Sequence, residues 1–124
     1  MSISNYLENV LLDLVFNATA YAGQATVYVK LHIGDPGEAG TANAAGETTR
    51  QAMTTGAAAS GTLSNDAAVT WTNVSTAETI SYVSVWDAAS AGNCLWSGAL
   101  TAAKTVAVGD TFQFAIGDVD VSLD

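Results

Sequence analysis

The chain has 124 residues, the length of one domain, and 49% of them are hydrophobic. Twelve Asp and Glu residues against three Lys and Arg residues give a formal net charge of −9. Three scattered cations cannot form the basic face that binding to nucleic acid or to an anionic membrane requires, so we expect neither partner.

An amphipathic helix is predicted near the start of the chain, over residues 5–16. Asn5 is a suitable N-cap, and Glu8 lies three residues later, as in a capping box. Apolar residues repeat at helical spacing and form one stripe: Leu7, Val10, Leu11, Leu14 and Val15. A lone helix of this length is marginal in water, so we expect the stripe to pack on the protein's own sheet or on a neighbouring subunit.

The segment 25–33 alternates between apolar and polar residues, which predicts a strand with one buried face. The apolar face carries Val27, Val29, Leu31 and Ile33. His32 falls on the other, more solvated face, where we expect a surface or rim histidine. It is not a predicted metal ligand, because no second His or Cys lies at ligand spacing.

A long loop follows this strand. Asp35-Pro36-Gly37 predicts a turn, and the residues from Glu38 to Gly46 are mostly small. Long loops in compact domains are usually functional or mobile, so we expect this one to be exposed and to take any order it has from a partner. The candidate partner-binding residues are those of the helix stripe, the turn and the arginine after the loop: Leu7, Val10, Leu11, Leu14, Asp35, Pro36, Gly37, Glu38 and Arg50.

The rest of the chain reads as short strands. Strands are predicted at 48–55, 67–72, 78–87, 95–100, 105–108, 111–116 and 119–123. The run 78–87 is apolar on both faces near its end, as a central strand would be, and Gly109-Asp110 predicts a tight turn between the two strands beside it. We expect Trp71, Trp86 and Trp96 to be core residues, although exposed ones could stack on sugar rings.

The pattern predicts a mainly β fold, an antiparallel β-sandwich with one N-terminal α-helix, because one helix leads and no βαβ alternation follows. We expect a single structural domain in which residues 1–17 form the helical part and residues 24–124 the sandwich.

Cys94 is the single cysteine, so no intrachain disulfide is possible, and we expect it to be a buried small hydrophobic residue.

The sequence offers no catalytic constellation, and we expect neither an enzyme nor a cofactor. A Ser-His-Asp site would need His32, the single histidine, and no nucleophile elbow, P-loop or dinucleotide fingerprint is present.

Calcium is an open alternative for two acidic groups, although neither has the spacing of a dedicated calcium loop. These groups are Asp35 with Glu38, and Asp118 with Asp120 and Asp124; solvated acids are the simpler interpretation.

A series of short motifs spans nearly the whole chain in order. They lie at 4–9 (SNYLEN), 11–13 (LLD), 27–40 (VYVKLHIGDPGEAG), 50–52 (RQA), 85–89 (VWDAA), 95–100 (LWSGAL), 104–106 (KTV) and 109–114 (GDTFQF). Together they resemble a family of short virion structural proteins of tailed bacteriophages, often labelled tail fibre proteins. Members usually carry a Gly-Gly-Tyr-Ala-Arg-like segment, where this chain has Gly46-Glu47-Thr48-Thr49-Arg50 without the tyrosine.

The resemblance implies a structural role in the virion but no particular place in it. We expect the outer surface of the particle, after synthesis in the bacterial host cytoplasm. A fibre shaft usually needs repeats or coiled coils, and this chain has neither. We therefore expect a capsid decoration (cement) protein on the outside of the head shell. The alternative is a tail or tail-fibre component, including a receptor- or carbohydrate-binding module.

The expected partners are the phage major capsid protein or other virion subunits. Decoration proteins commonly form symmetric clusters, so we also expect a homo-oligomer, with a trimer favoured. If the helix attaches the protein to its lattice, deletion of residues 1–17 abolishes incorporation while the β domain still folds.

Overall fold

The computed structural model of the protein describes residues 2–123. Within that range, one helix lies near the N-terminus and the other regular elements are strands, which confirms the predicted mainly β fold with a single leading helix. The elements are β1 (Ser2–Ile3), α1 (Asn5–Phe16), β2 (Val27–His32), β3 (Gln51–Met53), β4 (Thr62–Ser64), β5 (Val69–Trp71), β6 (Glu78–Trp86), β7 (Cys94–Val106), β8 (Phe112–Phe114) and β9 (Asp120–Ser122).

Five strands form one antiparallel sheet in the order β1-β7-β6-β2-β3. β6 lies at its centre, where Val85 is opposite Val29 of β2 on one side and Trp96 of β7 on the other. The last four residues of β6 are buried, as expected of a strand covered on both faces. The predicted central strand is therefore confirmed. The other strands form two pairs, β4–β9 and β5–β8.

The hydrophobic core contains side chains from the large sheet and from the smaller pairs. Trp71 of β5 makes edge-to-face contacts with Phe112 and Phe114 of β8, at ring-centroid distances of 5.8 and 5.9 Å. Aromatic pairs of this kind contribute about 0.5–1.5 kcal/mol each beyond area burial. Trp86 and Trp96 are buried as well, which confirms the prediction that the tryptophans are core residues.

The two strands predicted around Gly109-Asp110 do not form a hairpin with each other. β7 is one long strand that contains the predicted strand 95–100 and the first two residues of the predicted strand 105–108, and it pairs with β6. β8 pairs instead with β5, with Phe114 opposite Val69. The physical reason is burial, because this pairing places Phe112 and Phe114 against Trp71 in the core.

Helix α1 has the predicted bounds, but its N-cap is Ser4 and not Asn5. The Ser4 hydroxyl accepts a hydrogen bond from Leu7 N at 3.2 Å and donates one to the carbonyl oxygen of Cys94. Ser4 N also donates to Leu95 O at 2.9 Å. Serine and asparagine are both favoured N-cap residues, and the bonds from Ser4 to β7 decide between them.

The loop between β2 and β3 folds over the outer face of the large sheet at the end of β2, and this overturns the predicted position of His32. The side chain is fully buried. Its Nδ1 lies 3.0 Å from the carbonyl oxygen of Ala42 in the loop, and its Nε2 lies 2.7 Å from the hydroxyl of Ser84 on β6. The alternation of β2 identified the correct face, but that face is not solvated.

The same loop was expected to be exposed and to take any order it has from a partner; most of its residues are exposed, but its hydrogen bonds are made to the protein's own sheet. Pro36 and Gly40 are buried, and Ala45 N donates to Leu31 O at 3.1 Å. Ile33, predicted on the buried face of the strand, is half exposed because β2 ends at His32. The loop is thus ordered by the protein's own sheet.

Candidate partner-binding surface

Two of the three predicted groups, the helix and the turn, lie side by side. We call the surface formed by residues 5–16 of α1 and residues 35–39 of the loop the helix–loop surface. The two parts lie close together: the Ser2 hydroxyl, in β1 just before the helix, lies 3.4 Å from a Glu38 carboxylate oxygen. A cleft of about 380 Å³ separates them and is lined by Asn5, Tyr6, Glu38, Ala39, Thr41, Trp86, Gly92, Asn93 and Cys94.

The predicted apolar stripe of α1 faces the body of the protein but is not fully covered. Leu7, Val10 and Leu11 are half-buried, Leu14 is exposed, and no residue of the helix is buried. Leu7, Leu95 and Trp96 line a cavity of about 200 Å³ at the edge of the core. The first three positions of the stripe therefore stabilise the attachment of α1 and are only partly available to a partner.

The opposite side of α1 is also apolar, and the sequence prediction missed it. Leu12, Val15 and Phe16 are 55%, 70% and 77% exposed. Their spacing of i, i+3 and i+4 places them on one side of a helix, which was the available signal. Val15 was assigned to the packed stripe, but the structure places it in this exposed group.

The turn residues of the loop differ in accessibility. Asp35 and Glu38 are exposed, whereas Pro36 is buried and so is not available as a partner contact. An Asp35 carboxylate oxygen accepts a hydrogen bond from Gly37 N at 2.9 Å, an arrangement typical of an Asx turn. Asn43 Nδ2 donates to the Asp35 carbonyl oxygen at 2.8 Å and holds the turn from the other side.

Arg50, the third predicted group, makes its contacts within the protein. Its Nη1 donates to the carbonyl oxygens of Ala88 and Ala91, both at 2.8 Å. The guanidinium carbon lies 3.9 Å from the centre of the Trp86 ring. These contacts are a cation–π stack and two charge-assisted hydrogen bonds, so Arg50 holds the turn between β6 and β7.

Cys94 lies beside this stack and has the properties of a structural cysteine. It is buried, and that burial raises the pKa of its thiol to about 11. The thiolate is the nucleophilic form of cysteine, and burial of Cys94 disfavours that form. His32 cannot activate it, because both ring nitrogens of His32 are bound to Ala42 and Ser84. The predicted buried small hydrophobic residue is confirmed.

The charge of the helix–loop surface is acidic. Glu8 and Asp13 of α1 are exposed, as are Asp35 and Glu38 of the turn. The first lysine or arginine of the chain is Lys30. The surface therefore combines exposed apolar side chains with carboxylates, and α1 itself carries no cationic side chain.

The acidic groups considered for calcium have local roles. An Asp118 carboxylate oxygen accepts from Ala115 N at 2.9 Å, and Asp120 accepts from the Ser64 hydroxyl. Asp124, the third residue of that group, lies outside the described residues. Between residues 2 and 123 no three His, Cys, Asp or Glu side chains are arranged to hold a metal ion, and no helix there is long and apolar enough to cross a membrane.

Residues 2–122 match the family model described as "Podophage GP4 fiber I protein gp80". No curated protein matches the chain.

Proposed function

The chain belongs to the Podophage GP4 fiber I protein gp80 family and is thus a fibre-type structural component of a bacteriophage virion; from this premise we propose that it is a capsid decoration (cement) protein. It binds the outside of the head shell and contacts the major capsid protein or neighbouring virion subunits. The observation that carries this proposal is the helix–loop surface, where apolar side chains of α1 remain exposed beside carboxylates.

The architecture supports attachment to a lattice. The described residues form a sheet closed by two strand pairs around one core, and the chain contains no repeat from which a long shaft could be built. Exposed apolar side chains stabilise an interface by about 25 cal/mol per Å² of buried area, although association entropy offsets much of this. Many copies on one shell would add avidity.

The protein acts by adhesion and not by catalysis. Within the described part of the chain, His32 is committed to a buried network, and Cys94 is a buried thiol with a raised pKa. Both groups lack the exposure that a general base or a nucleophile needs. A homo-oligomer, with a trimer favoured, would present several helix–loop surfaces to the shell at once.

A tail-fibre component is the second candidate, favoured by the word "fiber" in the description of the family. A receptor-binding version would recognise a host surface molecule. Sugar binding by exposed tryptophans does not support this candidate, because Trp71, Trp86 and Trp96 are all buried.

Electron cryo-microscopy of intact particles distinguishes the two placements. We expect density for this chain in many symmetry-related copies over the head, with α1 at the seams between capsid subunits. Density confined to a few copies at the tail would reject decoration and favour the fibre component. Quantitative mass spectrometry of purified virions gives an independent copy number.

A further inference from the structure

Helix α1 presents an apolar face to solvent that the protein does not cover. Leu12, Val15 and Phe16 form this outer face, and each is more than half exposed. The opposite stripe packs against β7, and its residue Leu7 lines the cavity at the edge of the core. A contiguous exposed apolar patch on a small protein usually marks an interaction site, so the question is what covers it.

The charges of the helix favour one kind of occupant. Glu8 lies one turn before Leu12 on the same side, and Asp13 flanks the face. With no lysine or arginine in α1, two copies packed helix against helix would bring like charges together. Like charges brought close together repel each other, most strongly at low salt. A groove with basic side chains at its rim would pair with the same carboxylates.

We infer that the outer face of α1 docks into an apolar groove, rimmed by lysine or arginine side chains, on another virion protein. Leu12, Val15 and Phe16 are the anchors, and Glu8 and Asp13 contact the basic rim. This is the helix-in-groove mode of recognition, in which anchors follow the i, i+3 and i+4 pattern. The inference rests on the proposed attachment of the protein to the virion.

The attachment of α1 suits this role because the helix is held before it binds. The Ser4 hydroxyl and Ser4 N bond to the backbone of Cys94 and Leu95 at the start of β7, and Ile3 pairs with Trp96. A preformed helix pays little ordering entropy on binding. The half-buried Leu7 side of α1 fixes which face remains available.

The test uses virions assembled without the protein, from the phage that encodes it, and purified full-length variants added back. Bound protein is measured by co-sedimentation over a range of concentrations. The key variant is Leu12→Ser with Phe16→Ser, and the matched control is Ile116→Ser, which removes a similarly exposed side chain outside α1. A second variant, Glu8→Gln with Asp13→Asn, removes the charges and keeps the shape. Thermal melting checks that all variants fold.

The expected result is wild-type binding that weakens at least about tenfold in the Leu12/Phe16 variant and less than about twofold in the Ile116 control. The Glu8/Asp13 variant binds more weakly and with a smaller salt dependence. The inference is overturned if the Leu12/Phe16 variant binds like wild type, or if neutralising the two acids changes neither affinity nor salt dependence. It is also overturned if α1 mediates self-association that this variant abolishes.

The site of binding separates this inference from the proposed function. Wild-type protein that binds only to tails rejects capsid decoration, while the same variants still test the outer face of α1. Wild-type protein that binds no part of the virion overturns both.

Discussion

The hydroxyl of Ser84 lies 2.7 Å from Nε2 of His32, and the two residues join neighbouring strands of the large sheet. Nδ1 of His32 faces the carbonyl oxygen of Ala42, which can only accept, so Nδ1 carries the proton of the neutral ring. Nε2 is then an acceptor and Ser84 its donor. The Ser84 oxygen in turn accepts from Nε1 of Trp86 at 2.7 Å. This network ties the loop between β2 and β3 to the sheet.

Replacement of Ser84 tests the network directly. Ser84→Ala leaves both His32 Nε2 and Trp86 Nε1 without this partner in a buried site, so we expect the free energy of unfolding to fall by about 1–3 kcal/mol. Urea denaturation followed by tryptophan fluorescence measures it. The control, Ser90→Ala in an exposed turn, should change stability by less than about 0.5 kcal/mol. Equal stability of the two variants would show that the network contributes nothing.

The stability of the protein should depend on pH through His32. Burial lowers the pKa of His32 below the ordinary value of 6.5, because desolvation disfavours the charged ring. Below about pH 6.5 the unfolded chain therefore takes up a proton that the folded protein does not. The contribution of His32 is fully present above that pH and is lost as the pH falls toward the folded-state pKa.

The measurement is the free energy of unfolding at about pH 7.5 and about pH 5.5 for the wild type and for His32→Gln. The carboxylates titrate in both proteins, so the difference between the two slopes reports His32. We expect the variant to be less stable at the higher pH and to lose less stability on acidification. Parallel slopes would mean that folding does not change the affinity of His32 for protons.

The burial of His32 also shows what local sequence patterns can predict. Periodicity predicted α1 with the observed bounds, and alternation placed Val29 and Leu31 on the core side of β2. Alternation distinguishes the two faces of a strand but does not say what covers them. The outer face of β2 is covered by a loop of small residues, whose packing depends on hydrogen bonds to β2 and β6.

The pairing of strands that lie far apart in the chain was the other feature that the sequence did not predict. The pairing of β8 with β5 depends on the cluster of Trp71, Phe112 and Phe114, which brings together residues about forty positions apart in the chain. Of the candidate surface, the helix and the acidic turn were predicted. Their proximity was not, because it depends on the loop folding back over the sheet.

Gly40 should be required for the packing of this loop. Its φ is +70°, and a Cβ added there would lie 2.6 Å from Cys94 Sγ and 2.9 Å from Cζ2 of Trp86. Gly37 has the same φ, but an added Cβ would meet nothing within 4 Å. Both Gly→Ala variants carry the left-handed backbone cost of about 1–2 kcal/mol, and Gly40→Ala adds about 1–3 kcal/mol of overpacking.

The backbone cost is the same in both variants. The difference between their losses of stability, measured by thermal and urea unfolding, therefore reports the overpacking at Gly40 alone. A larger loss of stability in Gly40→Ala than in Gly37→Ala is the expected result. If the two losses are equal, the loop relaxes away from Cys94 and Trp86 at no cost, and the close approach at Gly40 is not a constraint on the fold.

Replacement of Arg50 tests whether this residue has a structural role or binds a partner. Arg50→Lys keeps the charge but loses the planar group that stacks on Trp86 and bonds the carbonyl oxygens of Ala88 and Ala91. We expect the free energy of unfolding to fall by about 1–2 kcal/mol, with Ser90→Ala in an exposed turn as a control near wild type. Binding to virions that lack the protein should be unchanged once it is corrected for the folded fraction. Weaker binding at unaltered stability would instead make Arg50 a partner contact, as its sequence position first suggested.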